Sequence, residues 1–91
     1  MLNPPHPGEL LREDVLPALK ISARELSQHL GYLETEILGV LECKAGVSAD
    51  LALRLELAGI GVASNWLAMQ SAFDLAQARK RQHPTIKRIY P

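Results

Sequence analysis

Cysteine is nearly absent from this 91-residue chain: Cys43 stands alone, so no internal disulfide can form. Three dispersed histidines, His6, His29 and His83, do not make a zinc cluster, and no cofactor is expected. Stability therefore has to come from packing. No apolar run approaches the roughly 20 residues that cross a bilayer. The opening MLNPPHPGELLRED has prolines and acids where a secretory signal has a basic start and an apolar middle, so a cytoplasmic protein without a membrane partner is expected. A charge excess is missing too, with ten bases against ten acids, which argues against a strongly basic nucleic-acid binder. At 47% hydrophobic and 22% charged, the composition also lacks the polar surplus of a disordered chain. What remains is one domain with one core, burying about 60–65% of its unfolded surface.

The zero net charge hides two halves of opposite sign. Residues 1–43 hold Glu9, Glu13, Asp14, Glu25, Glu34, Glu36 and Glu42 against three bases, while residues 44–91 reverse the balance. Arg79, Lys80, Arg81, Lys87 and Arg88 fall in the last thirteen residues with no acid among them. Such a tail either touches phosphates or an acidic partner, or is simply a solvated, frayed end.

Apolar residues recur at spacings of three and four, and strand-like alternation never persists, so the chain reads as five helices. The first covers 8–19 with Leu11, Val15 and Leu19 on one stripe, and Pro17 is expected to kink it or end it early. The second starts at Ser22, with Glu25 completing a capping box and Ile21 placed to staple against Leu26. Gly31 marks a sharp turn, and residues 33–42 form the third helix around Leu33, Ile37, Val40 and Leu41. After a Lys44-Ala45-Gly46 loop, Ser48 caps a fourth helix that ends near Gly59 and Gly61. The fifth runs from about Ser64 to Gln82, with Trp66, Met69, Phe73 and Ala76 as its apolar stripe and Pro84 as its stop.

The stretch from about 23 to 42 carries the function. Two short helices meet there through a turn too tight for an ordinary antiparallel hairpin, which is helix-turn-helix spacing. Leu26, Ser27, Leu30, Gly31, Tyr32, Ile37 and Val40 occupy in order the apolar, small and turn positions that this geometry needs.

The chain resembles the HigA-type antitoxins, a branch of the Xre and lambda-repressor-like helix-turn-helix proteins. The resemblance covers His6 to about Arg81. It rests on His6-Pro7-Gly8-Glu9 with Leu11-Arg12-Glu13, on Ser22, Glu25-Leu26 and Gly31, on Gly46-Val47-Ser48 and Ala52-Leu53-Arg54-Leu55, and on Trp66-Leu67, Gln70, Phe73-Asp74-Leu75 and Ala78-Arg79. It implies an all-α, five-helix domain over residues 1–82 with a basic tail at 83–91. It further implies a homodimer that binds operator DNA at its own promoter and neutralises a toxin protein that cleaves messenger RNA.

At the contact positions the chain departs from that pattern. The start of the second motif helix, which enters the major groove in such proteins, reads Leu33, Glu34, Thr35, Glu36 and Leu38. Two carboxylates there face phosphates unfavourably unless one accepts from a cytosine amine. The first motif helix begins with Ala23 where a phosphate-binding glutamine is usual, and the expected polar cap of the second is Leu33. The DNA-binding candidates are accordingly Arg24, Gln28, Thr35, Glu36 and Lys44. Two readings stay open: an autoregulating antitoxin that reads DNA with these residues, or an interaction protein whose acidic half clamps a basic toxin while DNA binding is weakened or lost.

An enzyme has little support, since Glu34 and Glu36 point to different faces of a helix and the histidines lack a Ser, Cys or Asp companion. His6 reads as a turn residue fixing the entry to the first helix, and Cys43 as a small buried hydrophobe where a glycine is usual. Trp66 and Phe73 read as core residues that reach a dimer interface.

Overall fold

The computed structural model describes residues 3–90, and all of its regular structure is helical. Met1, Leu2 and Pro91, which bound the expected domain and tail, lie outside the described residues. Helix α1 occupies residues 7–19, followed by α2 (Ala23–Leu30), α3 (Glu34–Leu41), α4 (Ala49–Leu57) and α5 (Ala63–Lys80). Five helices were expected, and five are observed.

Pro17 does not end α1 early, which corrects that half of the expectation; the helix is distorted just ahead of it instead. α1 has α-helical ends, Pro7–Leu10 and Leu16–Leu19, joined by a π-helical turn over Leu11–Val15 in which the Leu16 N–H donates to the Leu11 carbonyl. A proline in a helix interior has no N–H to give and presses its ring on the carbonyl four residues back. The wider turn just ahead of Pro17 makes room for that ring, so the helix runs on to Leu19. It stops only where Lys20 adopts a left-handed conformation, φ 58°.

The core forms where the helices converge. Leu11 and Leu16 of α1, Leu26 and Leu30 of α2, Ile37, Val40 and Leu41 of α3, Leu51 and Leu55 of α4 and Trp66 of α5 are all buried. These are the inward positions of the three-and-four spacing, so burial of the apolar stripe is what selects each helix's orientation. α2 packs on α3, α4 on α5, and α1 lies across both α3 and α5. The second half of α5 buries little, and beyond Lys80 the chain continues extended and exposed to Tyr90, giving a molecule 51 × 23 × 21 Å.

Candidate nucleic-acid interface

The two motif helices begin with different chemistry. At α2 the Ser22 hydroxyl accepts from the Glu25 N–H at 3.1 Å, and the Glu25 carboxylate accepts from the Ser22 N–H at 3.0 Å, a complete capping box as expected. At α3 the cap is Leu33, which has no acceptor to offer, and only the reverse half forms: Glu36 Oε1 accepts from the Leu33 N–H at 2.9 Å. Between them Gly31 sits at φ +78°, where a side chain is disfavoured, and the Tyr32 N–H closes the turn on the Ser27 carbonyl.

Three contacts from outside the motif hold it in place, two on α3 itself and one on the turn before it. α1 approaches so closely that a Cβ at Gly8 would lie 1.8 Å from the Val40 carbonyl oxygen, so only glycine fits there. Arg12 Nη1 donates to the Leu41 carbonyl at 2.8 Å, satisfying one of the orphan acceptors at the end of α3 where a cation also suits the helix dipole. From α4, Arg54 Nη1 donates to the Leu30 carbonyl at 2.8 Å, its guanidinium lies over the Tyr32 ring at 4.7 Å, and its Nε pairs with Asp50 at 3.1 Å. The Tyr32 hydroxyl donates to the same Asp50 carboxylate. Burial, and then that bond to Asp50, push the Tyr32 hydroxyl above its ordinary value, so it stays protonated as a donor.

His6 serves the same mounting. It is 4% exposed, caps α1 by accepting the Gly8 N–H at Nδ1 (2.9 Å), and meets the Phe73 ring edge to face at 4.9 Å. Burial lowers its pKa below the ordinary 6.5, against opposing effects of Asp74, the Ala45 backbone and Glu9. On the far side, Gln70 Oε1 accepts from the Val47 N–H at 2.8 Å and its amide donates to Asp74, tying the loop after α3 to α5.

Of the candidate contact residues, Arg24 and Gln28 are exposed on α2, Thr35 is exposed at the front of α3, and Lys44 is exposed in the loop beyond it, 3.7 Å from Glu42. Glu36 is also exposed, but one oxygen is engaged in capping α3. Leu33 and Leu38 stand out on the same front, 68% and 38% exposed. The mounting residues Arg12, Arg54 and Gln70 were visible in the sequence only as parts of longer matched strings. Their partners are backbone groups 29, 24 and 23 residues away, which no local spacing reveals.

Two expectations change. Trp66 is 3% exposed and its indole N–H donates to the Ile60 carbonyl at 2.7 Å, so it is used up inside this chain's own core and has almost no surface left for a second copy. Phe73 is half-buried against His6 and keeps part of its ring free. Cys43 is half-buried rather than buried, because it takes the left-handed position (φ 61°) that turns the chain away from α3.

A helix-turn-helix with its second helix mounted from behind and bare in front invites comparison with known proteins. No family model matches the chain. Virulence-associated protein I of Dichelobacter nodosus is 40% identical over 75 residues, 82% of this chain and 69% of that one. The antitoxin GraA superposes with a TM-score of 0.81 at 40% identity, covering 86% of this chain and 84% of its own. The Pseudomonas aeruginosa antitoxin HigA, solved with the higBA promoter, superposes with a TM-score of 0.81 at 33% identity over 86% and 85% of the two chains. The chain belongs to the HigA-type antitoxin family. In this HigA-type chain the contacts of Gly8, Arg12, Arg54 and Gln70 serve the posture of the motif and of the loop after it. The chain's own chemistry is left to the exposed residues around it.

Proposed function

We propose that this protein is an operator-binding antitoxin: a homodimer that represses its own promoter and holds in check a cognate toxin that cleaves messenger RNA. It acts in the cytoplasm, with neither catalysis nor a cofactor. The observation that carries this reading is the mounting of α3, held at its C-terminal end by Arg12 and at the turn before it by Arg54, while its front stays uncovered. The family relative solved on promoter DNA supports it. Among the described residues no helix is long and apolar enough to cross a membrane, and no group of histidine, cysteine and carboxylate side chains is arranged to hold a metal ion.

In this reading Arg24, Gln28 and Lys44 meet phosphates at the groove edges, and Thr35 reads a base edge. Glu36 positions α3 through its bond to the Leu33 N–H, and Glu34 is the carboxylate left to accept from a cytosine amine. The domain at 1–82 supplies these groups, and the tail at 83–91 adds Lys87 and Arg88 as further phosphate contacts. In this reading Phe73, half-buried in the single chain, contributes its remaining surface to the contact between copies.

The test is a titration of the purified protein onto the duplex just upstream of its own coding sequence, against a scrambled duplex, at about 50 and 200 mM salt. A preference for the upstream duplex with a measurable salt slope is expected. The slope should be shallower than the loss of about 10³–10⁵ seen for proteins making many phosphate contacts, because few bases border α3. Equal binding to both duplexes, or none at low salt, would reject operator binding.

A further inference from the structure

The front of α3 has a chemistry that phosphate contacts do not explain. Leu33 is 68% exposed and Leu38 38% exposed, although the same helix buries Ile37, Val40 and Leu41 at 5% exposure or less. Leu38 lies one turn after Glu34, and Leu33 precedes both, so the two leucines flank Glu34 and Thr35 on one surface. Neither leucine is needed to fill the core. Covering either leucine with an apolar group would take its surface out of water, a gain that only an apolar partner at this position can supply.

The surface that a helix-turn-helix offers at these positions faces base edges in the major groove. Only one group there is apolar, the C5-methyl of thymine. We infer that Leu33 and Leu38 read thymine methyl groups, so that the operator half-site of this protein is recognised through apolar contacts at thymines. This inference rests on the operator-binding reading above and specifies which feature of the DNA that same site recognises. It also gives the acids a place. A leucine against a thymine methyl needs no cation, and Glu34 beside it disfavours non-cognate positions where it would find no cytosine amine. The interface gains selectivity while its affinity for arbitrary DNA stays low.

The decisive probe is the duplex upstream of the protein's own coding sequence, made once with thymidine and once with deoxyuridine at every thymidine position. Deoxyuridine keeps all hydrogen-bonding edges and removes only the methyl. The wild-type protein should bind the deoxyuridine duplex at least about tenfold more weakly, the size of one good base discrimination. The Leu33→Ala/Leu38→Ala double variant, altered only at exposed positions, should bind the two duplexes alike. Equal binding of both duplexes by the wild type would overturn the inference and leave operator binding standing. The same holds if the double variant keeps the full ratio, since the methyl groups would then act through DNA shape. If the wild type prefers neither duplex to a scrambled one, operator binding itself fails and takes the inference with it.

Discussion

The back and the front of α3 are built on opposite terms. Behind it the contacts are close and directional: glycine against a carbonyl at Gly8, the Arg12 guanidinium on the last carbonyl of α3 and that of Arg54 on the last carbonyl of α2, and aliphatic side chains at 5% exposure or less. In front, two leucines and two carboxylates stand in solvent. Posture and recognition are thus separable in this molecule, because the posture depends on backbone atoms that any sequence supplies while recognition depends on side chains alone.

The largest way to break this comparison is at the back. Gly8→Ala would place a methyl carbon inside the Val40 carbonyl, and overpacking against a backbone that cannot move aside costs about 3 kcal/mol or more. Urea denaturation should show the loss, and operator binding should fall with it. Near-wild-type stability would mean that α1 can withdraw from α3 freely, and that the mounting is looser than its geometry suggests. On the front, Thr35→Ala should leave the urea midpoint unchanged and alter preference at one operator position by about 1–3 kcal/mol per half-site, read by competition with single-base variants. An unaltered preference would remove Thr35 from the base contacts.

Arg54→Met tests the clamp at the turn. It keeps much of the aliphatic stem and removes the guanidinium with its bond to the Leu30 carbonyl, its stacking on Tyr32 and its pairing with Asp50, so a loss of about 1–2 kcal/mol is expected, moderated by the partial exposure of the guanidinium. If stability falls while operator affinity is retained, Arg54 holds the fold together without setting the angle of α3.

How much of this was legible in the sequence depended on distance along the chain. The capping box at Ser22 and Glu25, the turn at Gly31 and the burial of Leu26, Ile37 and Val40 are local signals, written in spacings of three and four. The π-helical turn ahead of Pro17 was not legible, since a proline announces an obstacle without saying how the helix accommodates it. The role of Glu36 lay half in view. The three-residue spacing from Leu33 is that of a capping box, but a leucine cap hides it, and the carboxylate reads as a DNA contact instead. The hydrogen bonds of Arg12, Arg54 and Gln70 bridge more than twenty residues and leave no periodic trace.

His6 gives the back a dependence on pH. Its folded pKa lies below the ordinary 6.5 because burial disfavours the imidazolium, and protonation at Nδ1 would also cancel the bond from the Gly8 N–H. The unfolded chain therefore takes up the proton first. The stabilisation is complete above pH 6.5 and is lost progressively as pH falls through that value toward the folded pKa. Thermal melts of the wild type from pH 7.5 to 5 should drop more steeply than those of His6→Asn, which can still cap α1 but does not titrate. Parallel profiles would assign the acid sensitivity to other groups.

The smallest effect is expected at Gly39, where back and front meet. It is an interior residue of α3 with helical geometry, so glycine there forfeits about 0.5–1 kcal/mol relative to alanine. A Cβ would come to 3.8 Å from the Ala45 Cβ, an ordinary contact, and the Gly39 carbonyl already accepts the Lys44 and Ala45 N–H groups, so the backbone need not shift. Gly39→Ala should raise the urea midpoint accordingly. Gly39 also lies one turn beyond Thr35 on the same face, so the added methyl would stand between α3 and a duplex seated on that face. A variant that folds more stably and binds its operator less tightly would show the groove contact extending a full turn past Thr35. A variant that gains stability without losing affinity would confine recognition to the first turn of α3 and leave Leu38 outside it.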